Sequence, residues 1–234
     1  MQEYKRPFSF IDINIIHHKD CLNLIDEMPD GFVNAIITDF PYGIDFQSNF
    51  REKTPKFEKI NNDEEPFIDW IKPSYRILSD EGRLICFYRY DVQDILFKEI
   101  RNSGFDIKSQ LVWNKGGTGM GDLKAQAAPQ HELMVYATKG RYEFKNGRPS
   151  SVYSVTKVDG NSMIHPNEKP VRLFQNLIND YSSVGELIFD PFSGSGACSV
   201  AAKIERRDFI SCDLGESYVK LGNKRVNKES VNLF

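Results

Sequence analysis

The sequence predicts an α/β fold, a sheet covered by helices, and two observations carry that prediction. Apolar runs alternate with amphipathic stretches almost from end to end, as strands alternating with helices do. Late in the chain, GELIFDPFSGSG puts an acid, Asp190, where an apolar strand ends, then a small-residue turn, then the helix-forming ACSVAAKIE. With 234 residues, 40% of them hydrophobic, the chain can bury a full core within one domain, 1–234.

The elements follow in order. FVNAIIT (Phe32 to Thr38) and RLICFYR (Arg83 to Arg89) read as buried strands. Between them, Glu65 to Gly82 carries apolar residues at Phe67, Ile68, Ile71, Tyr75 and Leu78, which predicts an amphipathic helix kinked at Pro73. Asp91 to Gly104 has an acidic start and a terminal glycine, the order expected of a second helix. DIKSQLVW and HELMVYAT predict further strands, separated by the glycine-rich Asn114 to Asp122. The polar stretch from Lys139 to about Met163 predicts a hairpin or a loop. KPVRLFQNLINDYS resumes helical spacing, and GELIFD, SGSGACSVAAKIE, RDFISCD and GESYVKLGNKRV read as strand, helix, strand, helix.

Charge and cysteine usage narrow the function. Thirty basic against 33 acidic residues give a net charge of -3, so a nucleic-acid partner needs a local basic patch. Lys139, Arg141, Lys145 and Arg148, interleaved with Tyr142 and Phe144, form the densest basic stretch; phosphate contact and a solvated hairpin are both open readings of it. The four cysteines show no CxxC pair and no histidine at metal-ligand spacing, so free thiols and no metal are expected. No run of about 18 apolar residues occurs. The expectation is a cytoplasmic protein without a membrane partner.

In SGSGAC, Gly194 and Gly196 let the backbone approach a ligand, and the following helix start offers free N–H groups. RDFISCD then ends a strand on Asp213, where a βαβ nucleotide site grips ribose hydroxyls. Only two of the three glycines of the dinucleotide fingerprint are present, with Ser199 in the third place. Too little chain follows Asp213 for a second mononucleotide half. A nucleoside-type ligand that is not a dinucleotide fits better, with a nucleotide-dependent oxidoreductase as a rival.

DFPYG near the start and DPFSGSG near the end, with WNKGGTGMGD, HELMVYATKG and HPNEKPVRLFQNLI between them, resemble the amino-methylating DNA methyltransferases. The likeness is to the permuted class, in which the catalytic motif precedes the cofactor motif. The resemblance implies a doubly wound, mostly parallel sheet of Rossmann-like type, with S-adenosyl-L-methionine as cofactor and double-stranded DNA as partner. It implies a short target-recognition insert at about 140–164, and it is compatible with a homodimer. Carried over residue by residue, Phe192, Ser193, Gly194, Ser195 and Gly196 wrap the methionine end of the cofactor. Asp190 sits beside its amino group, Asp213 holds the ribose, Asp20 and Cys21 lie near the adenine ring, and Lys169 contacts the carboxylate.

The same resemblance gives Asp39, Phe40, Pro41 and Tyr42 the chemistry. An exocyclic amine on a base is a poor nucleophile, because its lone pair is delocalised into the ring. Two acceptors on its N–H bonds stabilise the positive charge that builds as it attacks a methyl group. Asp39 supplies one acceptor and the carbonyl of residue 40 the other. That residue is normally proline and here is Phe40, but Pro41 still restricts it to extended geometry. Tyr42 stacks on the flipped-out base. An acid at the head of this motif is the family's common adenine form; cytosine amine methylation and a catalytically inactive DNA-binding relative are the alternatives.

Overall fold

The computed structural model describes residues 11–42, 66–118, 124–145, 147–158 and 168–229. Its strands are β1 (Ile15–His18), β2 (Val33–Thr38), β3 (Leu78–Tyr88), β4 (Asp106–Asn114), β5 (His131–Thr138), β6 (Val152–Ser154), β7 (Leu187–Asp190) and β8 (Asp208–Asp213). They form one sheet in the order β1-β8-β7-β2-β3-β5-β4-β6. From β1 through β3 every pairing is parallel. β5 then runs antiparallel to both β3 and β4, and β6 lies parallel to β4.

Two helical layers cover the sheet. Helices α1 (Cys21–Glu27), α2 (Ile71–Ile77) and α3 (Gln93–Asn102) put Leu24, Ile25, Ile71, Ile77, Leu96 and Ile100 into one core with Ile36, Leu84 and Phe189. On the other face α4 (Val171–Tyr181), α5 (Ala197–Ile204) and α6 (Glu216–Lys228) close over Ile37, Phe87 and Ile188. Successive residues of β2 thus serve opposite faces, as the period of two in a strand requires. The fold is the doubly wound α/β architecture expected, and no described helix is long and apolar enough to cross a membrane.

Three sequence expectations are corrected. The helix read through Leu78 to Gly82 stops at Ile77: Leu78 turns extended at φ -71, ψ 135 and pairs with Val33 as the start of β3. Pro73 causes no kink, because it sits in the first turn of α2, where its missing N–H has no intrahelical partner to lose. The Lys139–Met163 stretch, read as hairpin or loop, contains the edge strand β6 within its described part. The polar segment from Gln47 to Glu65 and the Gly119 to Asp122 part of the glycine-rich loop lie outside the described residues.

Candidate active site

In a parallel sheet the carboxyl ends of all strands share one edge, and ligands gather where neighbouring connections diverge to opposite faces. Here that point lies between β2, which leads on toward α2, and β7, which leads to α5. Ala35 and Ile36 pair with Ile188 and Phe189, so the residues that follow, Thr38–Asp39 on one strand and Asp190 on the other, emerge side by side. Thr38 Oγ1 donates to Asp190 Oδ1 at 2.6 Å. The DFPY motif and the glycine loop therefore meet directly.

Asp39 is gripped at both oxygens. The Tyr42 hydroxyl donates to Oδ1 and the Lys169 ammonium to Oδ2. Lys169 is buried, 7% exposed; its Nζ also reaches Glu132 Oε2 at 3.2 Å and lies 5.1 Å from the centre of the Phe87 ring. Burial pulls its pKa down, but Asp39 and Glu132 outweigh that and hold it above the ordinary lysine value. Glu132 stays below the usual carboxylate range, because Lys169 and Lys115 overcome its burial. Burial, then the charges of Asp39 and Glu132, push the Tyr42 phenol well up, so it is a donor at neutral pH.

Phe40 resolves the oddity of its motif. Its ring is 2% exposed, edge-on to Tyr42 at 5.2 Å and tilted against Trp70 at 5.8 Å. Trp70 in turn meets Phe192 at 5.6 Å, and Phe192 meets Phe67 at 6.0 Å. The ring is thus a core element, and the aromatic row joins the DFPY motif to the glycine loop. Pro41 is tied back by its carbonyl, which accepts from Phe67 N at 3.2 Å.

The glycine loop is cross-braced. Asp213 Oδ2 accepts from Gly194 N and Oδ1 from Gly215 N, each at 2.8 Å, leaving part of its acceptor capacity open. Ser193 N donates to Cys212 O at 2.9 Å, while the buried Ser193 hydroxyl has no partner among the described residues. Gly196 caps α5 at φ 81, with Gly222 of α6 so close that a Cβ there would meet its Cα at 3.1 Å. Burial first, with Asp39 and Asp213 adding to it, pushes Asp190 up to about 7 despite the Thr38 and Phe192 hydrogen bonds. At the neighbouring corner Asp20 caps α1, accepting from Leu22 N at 2.9 Å and Asn23 N at 3.2 Å. Lys19 N bonds Asp213 O at 3.2 Å, which sets Asp20 and Cys21 beside the end of β8; burial and Asp20 push the Cys21 thiol up to about 12.

Some site residues escaped the sequence reading. Glu132 lies at the start of β5, and because β5 is antiparallel its start shares the edge at which β2 ends. Arg225, a cation on α6, donates to Ser195 O and Oγ at 2.9 Å and pairs with the buried Glu168 at 2.9 Å. Conversely, the basic stretch from Lys139 lies at the opposite edge of the sheet. Lys139 N bonds Gly82 O, Tyr142 stacks under Arg83 at 4.4 Å, and Arg141 and Lys145 line a cleft of about 430 Å³ with Asn34 and Glu186. That position sets Lys139, Arg141 and Lys145 at the other end of β3 and β5 from Asp39.

Known proteins share this fold. A family model described as DNA methylase matches residues 33–224. The DNA adenine methyltransferase YhdJ of Escherichia coli (strain K12) is 26% identical over 253 residues, covering 92% of this chain and 83% of that one. The crystal structure of an M1.HpyAVI–SAM complex superposes with TM-score 0.72 at 21% identity, over 91% of this chain and 98% of the other. PvuII DNA methyltransferase, described as cytosine-N4-specific, gives TM-score 0.72 at 17% identity, over 92% and 86%. The two superpositions establish the methyltransferase fold, and the family match spans both the Asp39 corner and the glycine loop; the chain belongs to the N6/N4 DNA methylase family.

Proposed function

We propose that this chain transfers a methyl group from S-adenosyl-L-methionine to the exocyclic amine of an adenine flipped out of double-stranded DNA. The observation that carries the reading is the 2.6 Å bond from Thr38 to Asp190, which sets an acid suited to an amine beside a loop suited to a nucleoside. S-adenosylmethionine is the methyl donor: it supplies an electrophilic methyl on a cationic sulfur. The residues fit it. Asp190 is a buried acid that a cationic amine would return to its charged form, the Ser193 hydroxyl awaits a partner, and Asp213 keeps acceptor capacity for a ribose.

Asp39 and the Phe40 carbonyl accept the two amine N–H bonds, orient the nitrogen lone pair and stabilise its growing positive charge. Tyr42, braced by its bond to Asp39, offers its ring to the base. Asp20 and Cys21 flank the nucleoside end of the cofactor, and Phe192 to Gly196 flank its methionine end. The acid at the head of DFPY and the likeness to an adenine methyltransferase favour adenine over cytosine.

The test is sequencing with modified-base detection on DNA from cells expressing the protein, beside cells expressing Asp39→Ala. N6-methyladenine at a recurring site, absent from the variant, is expected. N4-methylcytosine instead would overturn the base assignment, and full methylation by Asp39→Ala would overturn the mechanism.

A further inference from the structure

Asp39 is the acceptor at the centre of the proposed reaction, yet its nearest cation is a buried ammonium. A one-to-one pair with Lys169 would quench the negative charge that an amine nitrogen needs as it turns cationic. The structure avoids this by giving Lys169 a second acid. Two carboxylates, Asp39 and Glu132, share the ammonium of Lys169, so Asp39 does not have that cation to itself. Lys115, 3.4 Å from the other oxygen of Glu132, fixes that side chain from the end of β4.

The geometry also fixes orientation. An ammonium has three donor directions. One is directed at Asp39, one at Glu132, and the face of Phe87 lies against the group, so Lys169 has little freedom to swing. Asp39 is then held from two sides, by Tyr42 and by an immobilised Lys169. The four groups come from four places in the fold: the end of β2, the end of β4, the start of β5 and the approach to α4. Such convergence is what a reacting carboxylate needs to stay within a fraction of an ångström of its productive position.

We infer that Glu132, acting through Lys169, positions Asp39 and draws part of the Lys169 charge away from it, which makes it a positioning residue for methyl transfer. The inference rests on the methyltransferase reading above and assigns Lys169 to the acid, in place of the cofactor carboxylate that the sequence resemblance implies.

The experiment compares the wild-type chain with Glu132→Gln, Lys169→Met, Lys169→Arg and the double variant Glu132→Gln/Lys169→Met. It measures kcat at saturating S-adenosylmethionine and target DNA, cofactor Kd by calorimetry, and Tm. Glu132→Gln is expected to lose about tenfold in kcat with cofactor Kd within about twofold. Lys169→Arg should recover part of what Lys169→Met loses. The double variant should lose no more than Lys169→Met alone, because Glu132 acts only through that lysine. Unchanged kcat in Glu132→Gln, a loss confined to cofactor Kd, or additive losses in the double variant would each overturn the inference. If Glu132→Gln fails to fold, the comparison of the double variant with Lys169→Met decides alone. Methyl transfer by the wild-type chain separates the two levels: if it is present and the variants behave otherwise, only the inference fails; if it is absent, the reading beneath it fails.

Discussion

Thr38 and Asp190, 152 positions apart in the chain, share a 2.6 Å hydrogen bond at the carboxyl edge of the sheet. Both lie in the core, Thr38 at 0% and Asp190 at 4% exposure. The bond converts a remote sequence relationship into a fixed distance between the acid that would face the target base and the loop that would face the methyl donor.

Thr38→Val keeps the shape of the side chain and deletes that bond. Because Asp190 Oδ1 then keeps only the longer 3.2 Å bond from Phe192 N, a loss of about 1–3 kcal/mol is expected. Urea denaturation checks the stability, and calorimetry should find weaker S-adenosylmethionine binding, since Asp190 is freed from its strand neighbour.

Asp190 gives a pH signature. Its folded pKa of about 7 lies above the unfolded carboxyl value of about 4, so the folded chain holds a proton that the unfolded chain has released. Its contribution to stability therefore falls as pH rises from about 4 to about 7. Asp190→Asn should flatten this slope and be the more stable protein above pH 7. Binding of a cationic ligand group beside Asp190 should release protons near pH 7, seen as a buffer-dependent binding enthalpy.

Phe40→Ala tests the division of labour within DFPY. The ring is core and the carbonyl is the proposed acceptor, so the variant should lose about 3–5 kcal/mol of stability by denaturant titration. Phe40→Leu, which refills most of the space, should keep methyl transfer.

Gly196→Ala forces a β-carbon onto a residue at φ 81 and toward Gly222 Cα at 3.1 Å. The left-handed backbone alone costs about 1–3 kcal/mol for a non-glycine residue. Lower Tm and weaker cofactor binding are expected together, because the same movement pushes α6 from the loop.

The parts of the fold that sequence reading found are those where local signal and tertiary role agree. HELMVYAT is strand β5 over its whole length, and the acids closing LIFD and DFISCD end their strands as their apolar runs suggest. Leu78 is different: its spacing from Tyr75 suits a helix, but pairing with Val33 in the buried sheet overrides it. β6 is three residues long with two exposed, too short and too wet for an apolar alternation to register. The site shows the same division. Asp39, Asp190 and the glycines are marked by strand-end motifs, whereas Glu132 becomes legible only once β5 is known to run antiparallel. Arg225 looks like any helix-face cation until the loop it braces is folded against it.

The aromatic row has a practical corollary. The chain holds two tryptophans, and Trp113 is bound through its Nε1 to Val155 O at 2.7 Å, within the β4–β6 end of the sheet. Trp70 instead lies against Phe192, on the loop that would fold around the methyl donor. In a Trp113→Phe background its emission becomes a built-in optical gauge of loop occupancy, so ligand capture can be followed in real time without a label.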